Sequence, residues 1–129
     1  MYLLILFLSF NFSNIDVQWI TYFENKNIKI SYRDTLCDDI QNGFSFNYYL
    51  IKIENKTDET FVINFFLGEE KDKKEENKVA FVLNPYETKS GSCKYNPTQL
   101  KLFKSENKSN KSNPSKAFSL NNISTIEVY

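Results

Sequence analysis

Carboxylates are the reactive side chains this chain offers in number. Asp34, Asp38 and Asp39 fall in a turn-rich stretch running from Asp34 to Gly43, where oxygen ligands would suit a hard cation such as calcium. Their spacing matches no calcium loop, and Asp favours turns for its bonds to nearby backbone, so the stretch reads as a solvated turn and no metal ligand is assigned. Two carboxylates that met in space would be enough to hydrolyse a glycoside, but no motif marks such a pair. The chain has no histidine. That removes Ser-His-Asp and Cys-His catalysis, His acid–base chemistry and the His-containing zinc sites. Gly43, Gly68 and Gly91 lie too far apart for a phosphate-cradling loop. No catalytic residue and no cofactor site are assigned, and the chain reads as a non-enzyme.

Cys37 and Cys93 are the two cysteines, and two thiols can pair in only one way. Pairing requires an oxidising compartment. Residues 1–15, MYLLILFLSFNFSNI, carry no charged side chain and open on the apolar run Tyr2 to Leu8. The run matches a signal peptide's apolar region and falls short of the roughly 20 residues that span a bilayer. The expectation is a leader over 1–15 and one domain over 16–129, secreted or periplasmic, with no membrane span once the leader is removed. The alternatives are an internal apolar strand and two buried free thiols.

The elements that would carry any site are short runs of period two. Ile28, Ile30 and Tyr32 alternate with polar residues. Phe44, Phe46, Tyr48 and Leu50 do the same, after which the apolar phase moves to Tyr49, Ile51 and Ile53. A phase change of this kind implies a bulge or a strand covered on both faces. After the polar turn ENKTDE, Phe61, Ile63, Phe65 and Leu67 read as a hairpin partner of the preceding strand. The charged run 69–78 is a solvated loop, followed by the strand Val79, Phe81 and Leu83 and the loop Glu87 to Pro97. Leu100 and Leu102 begin a short strand. Residues 104–116, rich in Ser, Asn and Lys, read as a loop outside the core, joining neighbouring antiparallel strands at 101–103 and 118–120. Ile123, Ile126 and Val128 close the chain. No helical period is sustained, so the fold class is all-β, an antiparallel sandwich of about seven strands.

The segments YLIKIENKTDETFVINF (Tyr49 to Phe65) and VAFVLNPYE (Val79 to Glu87) resemble the strand-turn-strand and the Leu-x-Pro-Gly-Glu strand end of secreted bacterial immunoglobulin-like domains. Tyr86 stands where those domains often place Gly. No Trp lies between the cysteines, so the antibody-type disulfide packed on Trp is not reproduced. The resemblance implies an immunoglobulin-like fold and carries over no functional residue.

Sixteen basic and sixteen acidic side chains cancel, and Arg33 is the single arginine. Nucleic acid is therefore not an expected partner. Lys101, Lys104, Lys108, Lys111 and Lys116 make a locally basic stretch without interleaved aromatics, which reads as a solvated loop. Most aromatics fall on strand positions and read as core, with Tyr48, Tyr49 and Tyr86 the exceptions to follow. Sequons stand at Asn11, Asn55, Asn107, Asn110 and Asn122. The expected function is binding or structural support, toward an unknown protein or a surface glycan. The alternative is an inhibitor presenting the loop Asp34 to Gly43 or Glu87 to Pro97 to an extracellular or periplasmic enzyme, and a carboxylate-based hydrolase comes third.

Overall fold

The computed structural model describes residues 18–39, 41, 43–94, 100–106 and 117–128. The expected leader lies outside them, as do Lys108, Lys111, Lys116 and the sequons at Asn11, Asn107 and Asn110. Eight strands are described: β1 (Ile20–Glu24), β2 (Ile28–Asp39), β3 (Phe44–Asn55), β4 (Thr60–Leu67), β5 (Lys78–Leu83), β6 (Thr88–Ser90), β7 (Lys101–Glu106) and β8 (Leu120–Val128). Every pairing is antiparallel, and two short 3-10 turns, Glu70–Asp72 and Glu75–Asn77, interrupt the β4–β5 connection.

One sheet runs β1, β2, β3, with the far side of β3 shared end to end by β6 and β7. β6 pairs with Lys52 to Glu54, and β7 with Phe46 to Leu50. The second sheet runs β5, β4, β8. Alternation makes these strands because it gives each one an apolar face to bury. In β4, Phe61, Ile63, Phe65 and Leu67 are buried while the residues between them are half-exposed. Ile63, Phe65 and Leu67 meet Ile28 and Ile30 of β2, Ile51 and Ile53 of β3, and Val79 and Leu83 of β5 in one core drawn from both sheets.

The phase change in β3 is a strand covered on both faces. Tyr49, Leu50 and Ile51 are all buried, and the β2–β3 register runs unbroken from Ile28↔Asn55 to Asp39↔Phe44. Ile51 faces the core, whereas Leu50 points to the opposite face and shares it with Arg33, its partner across the ladder.

Four sequence expectations are corrected. Asp34 to Asp39 are strand, not turn, because β3 supplies a ladder partner for each of them and tertiary pairing overrides the turn preference of Asp. β3 and β4 are not a hairpin, and they lie in different sheets. β7 and the chain after Phe118 are likewise in different sheets, and residues 104–106 belong to β7. The strand β1 escaped the reading because its burial pattern is nearly all exposed and its ladder slips at Tyr22, leaving no alternation to find.

The crossing from β3 to β4 is fixed by Asn55, which is 3% exposed. Its amide nitrogen donates to the carbonyls of Glu59 (2.7 Å), Asn84 (2.9 Å) and Leu83 (3.3 Å), and its oxygen accepts from the Thr57 amide (2.9 Å) and hydroxyl (2.8 Å). One side chain thus ties the end of β3 to the start of β4 and the end of β5. Beyond β5, Pro85 and Tyr86 sit at the centre of a tight turn closed by the Glu87 amide on the Asn84 carbonyl (3.0 Å). Tyr86 has φ of +57°, in the left-handed region that favours glycine.

Between β6 and β7 the edge strand leaves the sheet and returns. Gly91 donates to the Ile51 carbonyl (2.9 Å) and Leu100 accepts from the Ile51 amide (3.0 Å), so both ends of the excursion converge on one residue of β3. A Cβ on Gly91 would lie 1.9 Å from the Leu100 carbonyl oxygen, which is backbone and cannot swing away. Gly91→Ala is therefore expected to lower stability by at least about 2 kcal/mol, within the range for overpacked or strained sites. Chemical denaturation of the two proteins measures it.

Candidate functional site

The excursion carries Cys93, and Cys37 is the residue of β2 opposite Phe46. The two form a disulfide with Cα atoms 5.4 Å apart, closing 56 residues of sequence separation. Cys37 falls on the face of β2 opposite Ile28 and Ile30, so the bond braces the outer face and is not buried between the sheets. From Cys93 the bracing passes to Lys101, whose ammonium donates to the Cys93 carbonyl (3.5 Å) and lies 4.6 Å from the centre of the Tyr48 ring. Tyr48 meets Phe103 edge to face at 5.8 Å, and Phe46 meets both at 6.4 and 6.0 Å.

Tyr48 and Phe103 border a cleft of about 340 Å³ between β7 and the β4–β5 connection. Tyr48, Phe103 and Lys101 line it from the first sheet, and Glu69, Asp72 and Asn77 from the connection. Gly68, with φ of +92°, turns the chain out of β4 into that second wall. The wall is held internally: the Asp72 carboxylate accepts from the Glu69 amide (3.1 Å), and the Asn77 amide donates to the Asp72 carbonyl (2.6 Å). Gly68 itself is tied to the strand opposite, donating to the Ser119 carbonyl (2.9 Å) and accepting from the Asn121 amide (2.9 Å). Phe103 remains 44% exposed and Glu69, at the N-cap of the first 3-10 turn, is exposed, so part of an aromatic ring and an acidic residue both line the cleft within reach of solvent.

The other residues singled out from sequence are not brought together here. Asp34 pairs with Lys104, which also lies 5.3 Å from the centre of the Tyr49 ring. That contact raises the Lys104 ammonium above its ordinary value, chiefly through its hydrogen bond to Asp34. Asp38 accepts from the Ser45 hydroxyl (2.7 Å). Asp34 and Asp38 are four residues apart on an extended strand, roughly 13 Å, and no group of three metal-ligating side chains occurs among the described residues. Lys101 and Lys104 are held by Tyr48, Tyr49 and Asp34, not loose in a solvated loop. Tyr49 belongs to the core, where burial pushes its phenol up, and Tyr86 is exposed on the turn after β5, away from the cleft lining.

Two features passed unread in the sequence. Trp19 lies over the outer face of the first sheet, 5.2 Å from the Arg33 guanidinium and 4.8 Å from the Lys52 ammonium. Phe118 stacks on Tyr32 at 4.1 Å, and the Tyr22 hydroxyl donates to the Leu120 carbonyl (3.0 Å) and accepts from the Leu120 amide (3.1 Å). Both depend on contacts between residues far apart in sequence. Among the described residues, no helix is long and apolar enough to cross a membrane. No protein-family model, curated protein or solved structure matches the chain.

Removing the disulfide frees the excursion. In the chain-entropy picture a closed loop of this length is worth about 4 kcal/mol, so Cys93→Ser is expected to depress the thermal midpoint and loosen Lys101 and Tyr48. Calorimetry and amide exchange at β7 check both parts.

A second expectation concerns pH. Glu59 and Glu127 share a hydrogen bond across the end of the second sheet, and Glu127 raises the Glu59 carboxyl above its ordinary value. A raised acid stabilises the fold while protonated, so this contribution is present below the unfolded value of about 4.3 and is lost as pH rises through the folded value. Glu24, beside Lys56, and Glu87, accepting from the Asn84 amide, are lowered and act oppositely, losing their contribution as pH falls. Glu127→Gln is expected to raise the thermal midpoint near neutral pH and to leave it unchanged or lower near pH 4. Melting curves across that interval test the sign.

Proposed function

We propose that this chain is a secreted, non-enzymatic binding module of the immunoglobulin-like β-sandwich class, delivered by a leader over residues 1–15, that holds a glycan in the cleft beside β7. The observation that carries the reading is that a partly exposed aromatic ring, Phe103, and an exposed acidic residue, Glu69, both line that cleft. Sugars present both chemistries: a C–H face that packs on an aromatic ring, and hydroxyls that donate to carboxylates. The walls are preorganised by the disulfide, by Gly68 and by the Asp72–Asn77 contacts, which lowers the ordering cost of binding.

The absence of histidine supports the non-enzymatic half of the proposal, and a disulfide supports the extracytoplasmic half. The disulfide here lies on the outer face of one sheet, which departs from the antibody arrangement and leaves the class assignment resting on the two-sheet core and the Asn84 to Glu87 turn.

A second reading is favoured by the exposure of Ser92, Cys93 and Lys94 on a segment stiffened by the same bond. An exposed segment held by a disulfide suits insertion into an enzyme cleft, as an inhibitor requires.

A glycan array followed by nuclear magnetic resonance titration of the best ligand decides between them. The expected outcome is shift changes at Tyr48, Lys101 and Phe103. Phe103→Ala should weaken binding by about tenfold, roughly 1.4 kcal/mol, in protein that still melts cooperatively. Shift changes confined to Ser92 to Lys94 on addition of a captured enzyme would replace the glycan reading with the inhibitor reading.

A further inference from the structure

Asn55-Lys56-Thr57 is an N-glycosylation sequon, and its asparagine is the side chain that ties β3, β4 and β5 together. Transfer of a glycan to it would form a bond from the amide nitrogen to the first sugar carbon. One amide proton and the lipid pyrophosphate of the donor would leave. The modified nitrogen keeps a single hydrogen. In the fold that nitrogen serves three carbonyls with two hydrogens, those of Glu59, Leu83 and Asn84, so at least one would lose its donor. Asn55 is also 3% exposed, which leaves no path for a sugar to reach solvent.

We propose that the native fold excludes a glycan on Asn55, and that the chain therefore matures on a route that forms disulfides without modifying this sequon. The two halves rest on different observations: the disulfide calls for an oxidising compartment, and the buried amide calls for one in which sequon-directed transfer spares Asn55. Sequon glycosylation precedes completion of the fold in a secretory pathway that performs it, so burial in the final structure offers no protection during synthesis. Asn122 provides the internal contrast. It also heads a sequon, Asn122-Ile123-Ser124, but it is exposed on β8, and a glycan there would displace only surface contacts with Glu70, Lys73 and Asn121.

The test expresses the full chain in a glycosylating secretory cell, with and without a blocker of lipid-linked oligosaccharide assembly, and maps occupancy at Asn55 and Asn122 by mass spectrometry. The secreted, disulfide-bonded fraction is expected to be unmodified at Asn55, the modified chains to be retained as aggregate, and the blocker to raise secretion severalfold. Thr57→Val, which destroys the sequon and leaves the Thr57 amide as the remaining donor to the Asn55 oxygen, should raise secretion in the unblocked cell and leave it unchanged or lower in the blocked one, whereas Asn122→Gln should not raise it. In a second arm, the reduced and unfolded chain is modified at Asn55 by an oligosaccharyltransferase before refolding, so the question is answered even where the cell skips the site. Failure of that species to regain the disulfide and a cooperative melt supports the proposal. A folded, cooperatively melting protein with Asn55 occupied, from either arm, overturns it.

Discussion

The structure depends on β3 being hydrogen-bonded along both edges while one of its partners is broken in two. β2 pairs with all twelve residues of β3 without a slip, but on the other side β6 and β7 divide the strand, with Ile51 bonding to Gly91 and Leu100 at the break. A continuous edge strand would leave the outer face of β3 open. The break releases a segment that carries Cys93 back across that face to Cys37, and Leu50 is buried on the same side. The cleft follows from this. Lys101, the first residue of β7 after the excursion, sits where it can reach both the Cys93 carbonyl and the Tyr48 ring.

Magnitudes assign different jobs to the core and the disulfide. Ile30, Ile51, Ile53 and Ile63 are each fully buried, and at roughly 1.5–3 kcal/mol apiece they outweigh the bond's gross contribution of about 4 kcal/mol. The apolar contacts hold the two sheets together. The disulfide acts where those contacts are absent, on an edge segment in which Ser92, Cys93 and Lys94 are all exposed. Its effect is therefore local order beside the cleft as much as global stability.

What the sequence disclosed were the properties that repeat with period two. The buried positions of β4 and the Cys37–Cys93 pair were legible, because alternation and pairing arithmetic need no knowledge of the partner, while the phase change around Leu50 left a bulge and two-sided burial both open. Which sheet a strand joins was not legible. The polar run after Asn55 has the composition of a hairpin turn, and only the carbonyls of Leu83 and Asn84, 28 and 29 residues away, show why the chain crosses to the other sheet. The cleft failed to register for the same reason. Tyr48 and Lys101 stand out in the sequence for separate reasons, whereas Glu69, Asp72 and Asn77 sit inside a charged run whose composition says only that it is solvated.

Asn55 shows how a residue can look disposable in sequence and be indispensable in the fold. In an Asn-rich chain it is one polar residue in a polar turn, and as a sequon it suggests a surface position. Its burial is possible only because all its polar capacity is used: three acceptors for two amide hydrogens, one of them necessarily shared, and two donors for one oxygen. A buried amide satisfied this completely specifies geometry more than it adds energy, since each bond replaces one to water at a net gain of about 1 kcal/mol, while breaking any leaves a buried group unpaired. Asn55 therefore sets the point at which the chain passes from one sheet to the other. By fixing the Leu83 and Asn84 carbonyls it also sets where β5 ends and β6 can begin, and hence where the interruption opposite Ile51 falls. The cleft at one end of β3 is in this sense positioned by an amide at the other.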